Sequence, residues 1–308
     1  MTIRTSPEEL ALQSATATPS GAGGASIAPS PSRGSRAGRS GLLRGLRTPS
    51  ALIGLSLVVV IYAAGLLAPL IAPYAPNAQG PDAFLAPSAS HWFGTDEYGR
   101  DLFSRVLFGI RQDLIVSVVA VPIGAIVGTV LGTLSTISKW LESVIQRIFD
   151  VSLAFTSLVM GVTIAAIIGP GLPAVLITVS LINVPLFGRL AHNVVRGLRS
   201  RDYVTAARIV GAPPMRVLFR HILPNALDSL IVQAALSLSL AVFIEGAMSF
   251  VGIGIRPPDP SLGSLLRNSI NFLSRAPMYA IAPMVVVTAL VLAFNMIGDG
   301  LNKGLLRR

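Results

Sequence analysis

The chain has no cysteine and only three histidines among its 308 residues. Without thiols there is no disulfide framework and no thiolate zinc or iron-sulfur site, and three scattered imidazoles do not assemble a familiar metal centre. No metal ligand is therefore expected. Charge is equally scarce: Asp, Glu, Lys and Arg make up 12% of residues, about half of what a soluble globular chain carries. Catalytic signatures are missing as well. The sequence has no G-x-x-x-x-G-K-[ST] loop to bind ATP, no G-x-S-x-G elbow and no H-E-x-x-H helix. Gly252-Ile253-Gly254 lacks the third glycine of a dinucleotide fingerprint and follows an apolar run. These absences exclude an ordinary cytosolic enzyme, and no catalytic or cofactor-binding residue is expected.

What the chain has is apolar length. Hydrophobic residues reach 52%, and uncharged runs cover 51–72, 114–137, 151–169, 172–188, 229–244 and 276–298. A helix needs roughly 20 apolar residues to cross lipid. The reading is an all-α polytopic membrane protein with six transmembrane helices. The third span is placed from nearer Ile148, taking in Asp150, and the fifth continues past Glu245. Both carboxylates are expected at span ends, where water or an arginine such as Arg147 satisfies them.

Residues 1–48 form a separate zone rich in Ser, Thr, Pro, Gly and Ala, with Arg33, Arg36, Arg39, Arg44 and Arg47 near its end. Such a segment cannot bury enough apolar surface to offset its ordering entropy, so a disordered cytoplasmic tail is expected. The run that follows is longer than a signal-peptide core and reads as a retained first span. Of the 24 Lys and Arg, eighteen fall on the side of the tail and six on the other, which places both termini in the cytoplasm. The net charge of +10 thus follows from topology, and nucleic acid is not an expected partner. Domain boundaries are read as the tail at 1–48, a first span with an extracytoplasmic segment at 49–112, and a five-helix core at 113–308. Within the second span Gly124, Gly128 and Gly132 share one helix face, a seam for close packing in lipid.

The informative stretch is cytoplasmic, DYVTAARIVGAPPMRVLFRHILPN at 202–225. Tyr203, Ala206, Ala207 and Val210 repeat at helical spacing, as do Met215, Leu218, Phe219 and Ile222. Gly211 stands where a helix ends in a left-handed residue, and Pro213 or Pro214 can open the next. Two short amphipathic helices at a glycine corner follow. Periodicity alone leaves their partner open between anionic lipid and protein. On the other side, Asp96, Glu97, Arg100, Asp101 and Arg105 in and beside GTDEYGRD can cap a helix and pair among themselves. Pro257, Pro258 and Pro260 make a rigid outer turn.

Ala206, Ala207, Gly211, Leu223 and Pro224 together resemble the "EAA" loop of ABC importer permeases. HWFGTDEYGRDLFSRVLFGIR at 91–111, FVGIGIRPPDPSLGSLL at 250–266, LAFNMIGDGL at 292–301 and the first span at 51–76 resemble the C-type permease subunit of dipeptide/oligopeptide (DppC/OppC-type) importers. The resemblance runs from about residue 48 to the end. It implies the type I ABC importer permease fold in a bacterial cytoplasmic membrane, with transport of peptides by alternating access. It also implies the partners: a second homologous permease, two ATP-binding subunits that carry ATP and Mg, and an extracytoplasmic peptide-binding protein. Asp202, Tyr203, Ala206, Ala207, Gly211 and Met215 are then the expected ATPase-coupling residues, and Asp96, Arg100 and Asp101 the candidates near the outer gate. Thr205 replaces the acidic residue that names the loop, with Asp202 one turn earlier as a partial substitute. Rival readings are the same architecture carrying nickel or another small solute, an ion-coupled secondary transporter, and a membrane-bound enzyme.

Overall fold

The computed structural model describes residues 44–199, 201–211 and 213–306. The side chains of Asp202, Tyr203, Thr205, Arg208, Pro214, Met215, Phe219, His221 and Leu306 lie outside that description. The tail up to residue 43, read above as disordered, also falls outside it.

The described residues are helical apart from loops and one isolated antiparallel bridge, Thr95 to Asp101. In chain order, α1 is Pro49–Leu66, α2 Ala68–Ile71, α3 Leu102–Leu134, α4 Lys139–Ala154, α5 Ser157–Ile168 and α6 Leu172–Arg199. Then follow α7 at Asp202–Ile209, α8 at Pro214–Val217, α9 at Leu223–Val251, α10 at Leu262–Ser269 and α11 at Met278–Leu306. Five of them, α1, α3, α6, α9 and α11, are long and apolar enough to cross a membrane. A sixth span exists only if α4 and α5 are taken together.

That third span corrects the reading from hydropathy. The chain bends by 93° between α4 and α5, so 148–169 is no straight helix. Ser152 donates its hydroxyl to the Ile148 carbonyl at 2.9 Å, a back-bond that weakens the last helical turn, and Phe155 and Thr156 are extended. A sum of hydropathies has no term for direction. Asp150 accordingly sits on α4, half exposed and paired with Arg189 of α6, not with Arg147.

The α3 to α6 contact is the glycine seam. Carbonyl or side-chain atoms of Ser180, Asn183, Val184 and Gly188 lie where a Cβ on Gly124, Gly128 or Gly132 would stand. In lipid, helices associate through such close packing and not through burial from water. Around it, Val116, Ala120, Val179, Phe187, Ile244 and Met248 form a core shared by α3, α6 and α9. A second core joins α2, α3, α10 and α11 through Ala68, Leu102, Leu107, Leu262 and Tyr279. A third joins α1, α9 and α11 through Val58, Val242, Leu290 and Phe294. Outside these cores, residues such as Val60, Ile126, Ile167 and Leu292 are exposed, an apolar perimeter suited to lipid.

Candidate functional site: the glycine corner and the arginine-lined cavity

The 202–222 stretch folds as two short helices at a corner. Gly211 has φ 84°, a conformation side chains with a Cβ resist, and α8 opens at Pro214, whose fixed φ suits a first turn. From Val217 the helix runs without a break through a π turn at Leu218–Ile222 into α9. The corner is thus rigidly joined to a membrane-crossing helix.

Its apolar residues divide between a buried and an outward face, where the sequence spacing gives each short helix a single apolar stripe. Val204, Val217, Leu218 and Ile222 are buried against Val195, with Leu198 and Ala207 half buried beside them. That face is used up inside the chain. Ala206 and Gly211 are exposed, as are Ile209 and Val210 at 80% and 88%. These four present an outward apolar face. Of the expected coupling residues, Ala206 and Gly211 are on it and Ala207 is at its edge. The side chains of Asp202, Tyr203 and Met215 lie outside the described residues.

A polar clasp beneath the corner went unread in the sequence. His192 of α6 contacts Ser135 through Nδ1 at 2.7 Å and Glu142 of α4 through Nε2 at 3.3 Å. Arg196 donates to the same Glu142 carboxylate at 2.8 Å, and Arg199 donates to the Thr136 hydroxyl at 2.8 Å. The signal was present as His192, Arg196 and Arg199 on adjacent turns of one helix, facing the Ser138-capped start of α4. The clasp ties the C-terminal end of α6 to the turn between α3 and α4.

At the other end, GTDEYGRD builds a compact buttress. Asp96 is fully buried; its Oδ1 accepts the backbone N–H groups of Tyr98 and Arg100 at 2.9 Å each, and its Oδ2 accepts Arg100 Nε at 2.6 Å. Arg105 approaches the same carboxylate at 3.6 Å and donates to the Pro76 carbonyl at 2.9 Å. Asp101 caps α3, accepting from the Ser104 N–H at 2.8 Å and its hydroxyl at 2.7 Å. The other oxygen of Asp101 meets His91 Nδ1 at 2.9 Å, and His91 stacks on Tyr74. The two carboxylates are thereby saturated by protein donors. Arg100 alone of the three gate candidates, with Arg105, Ser249, Pro257, Pro258 and Arg267, lines a cavity of about 500 Å³.

Residues 120–308 match the family described as the binding-protein-dependent transport system inner membrane component. Residues 42–87 match the N-terminal TM domain of oligopeptide transport permease C. The chain belongs to this permease family. It is 40% identical over 257 residues to the dipeptide transport system permease protein DppC of Alkalihalophilus pseudofirmus, covering 83% of this chain and 84% of that one. It is 39% identical to the di/tripeptide transport system permease protein DppC of Pseudomonas aeruginosa, covering 83% and 87%. Over 71% of its length it is 36% identical to the glutathione transport system permease protein GsiD of Pectobacterium atrosepticum, covering 73% of that chain. Among solved structures, the MetNI methionine ABC transporter in inward-facing conformations shares the fold. The TM-score is 0.56 at 19% identity, over 64% of this chain and 94% of that chain. The family is one of transport permeases, multi-pass proteins of the inner membrane, and not of ATPases.

Proposed function

We propose that this permease carries di- and oligopeptides inward by alternating access, paired with a second homologous permease and powered by two ATP-binding subunits at its cytoplasmic corner. An extracytoplasmic peptide-binding protein delivers the cargo to the outer side, and both termini of the chain are cytoplasmic. ATP and Mg stay on the partner subunits. The observation that carries the reading is the outward apolar face of Ala206, Ile209, Val210 and Gly211 on a pedestal of Val195, Val204, Val217, Leu218 and Ile222. An exposed apolar patch on a rigid support is what a protein groove can bury, and α9 transmits any displacement of it across the membrane. The clasp at Glu142 and His192 ties the cytoplasmic ends of α3 and α6 into one unit against which α9 can move.

Peptide as cargo is supported by the relatives, which are dipeptide, di/tripeptide and glutathione transport permeases. The buttress around Asp96 and Asp101 serves as a strut of the outer gate, with its carboxylates satisfied internally and no longer available to substrate. The test is reconstitution of the full complex in proteoliposomes with labelled dipeptide or labelled nickel outside. Dipeptide uptake that requires ATP, the ATP-binding subunits and the binding protein is the expected result. Uptake of nickel alone would assign the cargo to the small-solute reading, and uptake without the ATP-binding subunits would overturn the mechanism.

A further inference from the structure

Two carboxylates lie inside the helix bundle, away from the corner and the buttress. Asp113 of α3 is 1% exposed and Glu245 of α9 is 0% exposed. They face each other within hydrogen-bonding reach, one turn from Val116 on α3 and between Ile244 and Met248 on α9, all of the central core. Glu245 Oε1 accepts the Ser249 hydroxyl at 2.8 Å. Glu245 Oε2 and both oxygens of Asp113 have no hydrogen-bond partner.

No cation neutralises them: among the described residues, neither carboxylate is ion-paired with Arg, Lys or His. Tyr62 of α1 is a further titratable side chain near Asp113, and its hydroxyl is hydrogen-bonded to Ser117 at 3.0 Å. A phenol brings no positive charge. An ionised carboxylate only accepts, so two of them in contact cannot bond to each other. Without water or counter-charge each would also bear a large desolvation cost. A single hydrogen removes the conflict, because a carboxyl O–H on one residue donates to the oxygen of the other and the pair carries one negative charge in place of two.

The position also has an entrance. Ser249, which holds Glu245, lines the Arg100 cavity and accepts the Ile255 N–H at 3.2 Å. A line of polar atoms therefore leads from that cavity through Ser249 to Glu245 and Asp113. The two carboxyl groups stand on different helices, and α9 is the one continuous with the glycine corner.

We infer that Asp113 and Glu245 form a proton-binding site of this permease, with one proton shared between the two carboxyl groups while α3 and α9 pack as they do here. The proton comes from hydronium in the Arg100 cavity; an O–H bond to oxygen of the carboxyl pair forms as one in hydronium breaks, leaving water. A relative displacement of α9 separates the pair, so proton affinity is linked to helix position. The site is independent of what the permease carries.

The experiment uses the full chain in lipid nanodiscs and infrared absorption in the carboxyl C=O region, at about pH 7, well above ordinary carboxyl titration. The wild type should show a protonated-carboxyl band that shifts in D2O and is the same in sodium and potassium buffer. Asp113→Asn and Glu245→Gln should each abolish it, because the amide N–H replaces the shared proton as donor and the remaining carboxyl ionises. Size-exclusion elution verifies that each variant is folded. The wild-type measurement needs no variant, so it stands even if one fails to fold. A wild-type spectrum without the band overturns the inference. So does a band that survives in both folded variants, or one that disappears when sodium replaces potassium, which would make this a metal-cation site.

Discussion

Gly132 of α3 lies against the Gly188 carbonyl of α6 so closely that a Cβ on Gly132 has no place to go. Gly128 meets the Val184 carbonyl one turn earlier in the same way. The obstacle in both cases is backbone, which cannot swing aside as a flexible side chain does. Gly132→Val is therefore expected to push α3 off α6, with overpacking costs at or above the usual range of about 1 to 3 kcal/mol. Membrane abundance and the melting temperature of the purified protein should both fall. Gly197→Ala is the control, since nothing lies within 4 Å of the added Cβ, and it should melt like wild type.

The buttress makes a prediction of unequal partners. Asp96 is fully buried with the Arg100 guanidinium at 2.6 Å and Arg105, itself 3% exposed, at 3.6 Å. Removing one member of a buried ion pair leaves the other charge without compensation, typically costing about 3 to 5 kcal/mol. Asp96→Ala should thus lower the melting temperature strongly and reduce accumulation in the membrane. Glu97→Gln alters only a longer contact to Arg100, at 3.6 Å, and leaves Arg100 its Asp96 partner, so no buried charge is stranded. Near-wild-type stability is expected there; equal losses in both variants would show that the burial of Asp96 is not what holds the 94–105 segment.

Topology can be tested against a clean background because the chain has no cysteine. Ser88 and Lys139 are both exposed and lie on opposite sides in the orientation set by the Lys and Arg asymmetry. A membrane-impermeant maleimide on intact cells should label Ser88→Cys and leave Lys139→Cys unlabelled until the cells are broken. Labelling of Lys139→Cys alone would invert the orientation.

Sequence reasoning reached the glycine seam, the left-handed Gly211 and the long helices because each has a local signature: a spacing of four, a helix stop before a proline, a run without charge. It missed Asp113 for the same reason. A search for uncharged runs begins the second span at Leu114, whereas the helix begins at Leu102 and carries its carboxylate inward to meet Glu245. That pairing joins residues 132 positions apart in the chain and depends on helix packing. It also placed Glu245 at a hydrated span end, where the structure buries it completely. The bend after α4 and the division of the 202–222 apolar residues into a buried and an outward face are likewise tertiary. Val204 and Val210 are equally apolar, and the positions of Val195, Val217, Leu218 and Ile222 decide which one is covered.

That division decides how the proposed coupling role of the corner is best tested. Ala207 is half buried on the pedestal, so Ala207→Glu would disturb the support as well as any docking. Val210 is 88% exposed, so Val210→Glu leaves the fold of the subunit intact and places a charge in the proposed contact, where its desolvation costs more than the roughly 1 to 3 kcal/mol of a neutral polar group. Gly211 offers an independent handle, since a Cβ there meets nothing within 4 Å and only its φ of 84° resists substitution. Asn tolerates that conformation and β-branched residues do not. Gly211→Asn is therefore expected to keep most peptide uptake and Gly211→Val to lose it, although both are open in space. The measurement is ATP-dependent uptake and binding-protein-stimulated ATP hydrolysis in proteoliposomes, with membrane abundance as the check on folding. Val210→Glu should reduce both activities at least tenfold at normal abundance, the factor that corresponds to about 1.4 kcal/mol of lost docking. If Val210→Glu and Gly211→Val both transport like wild type, the outward face of α7 does not contact an ATP-binding subunit, and its apolar residues lie on the membrane surface instead.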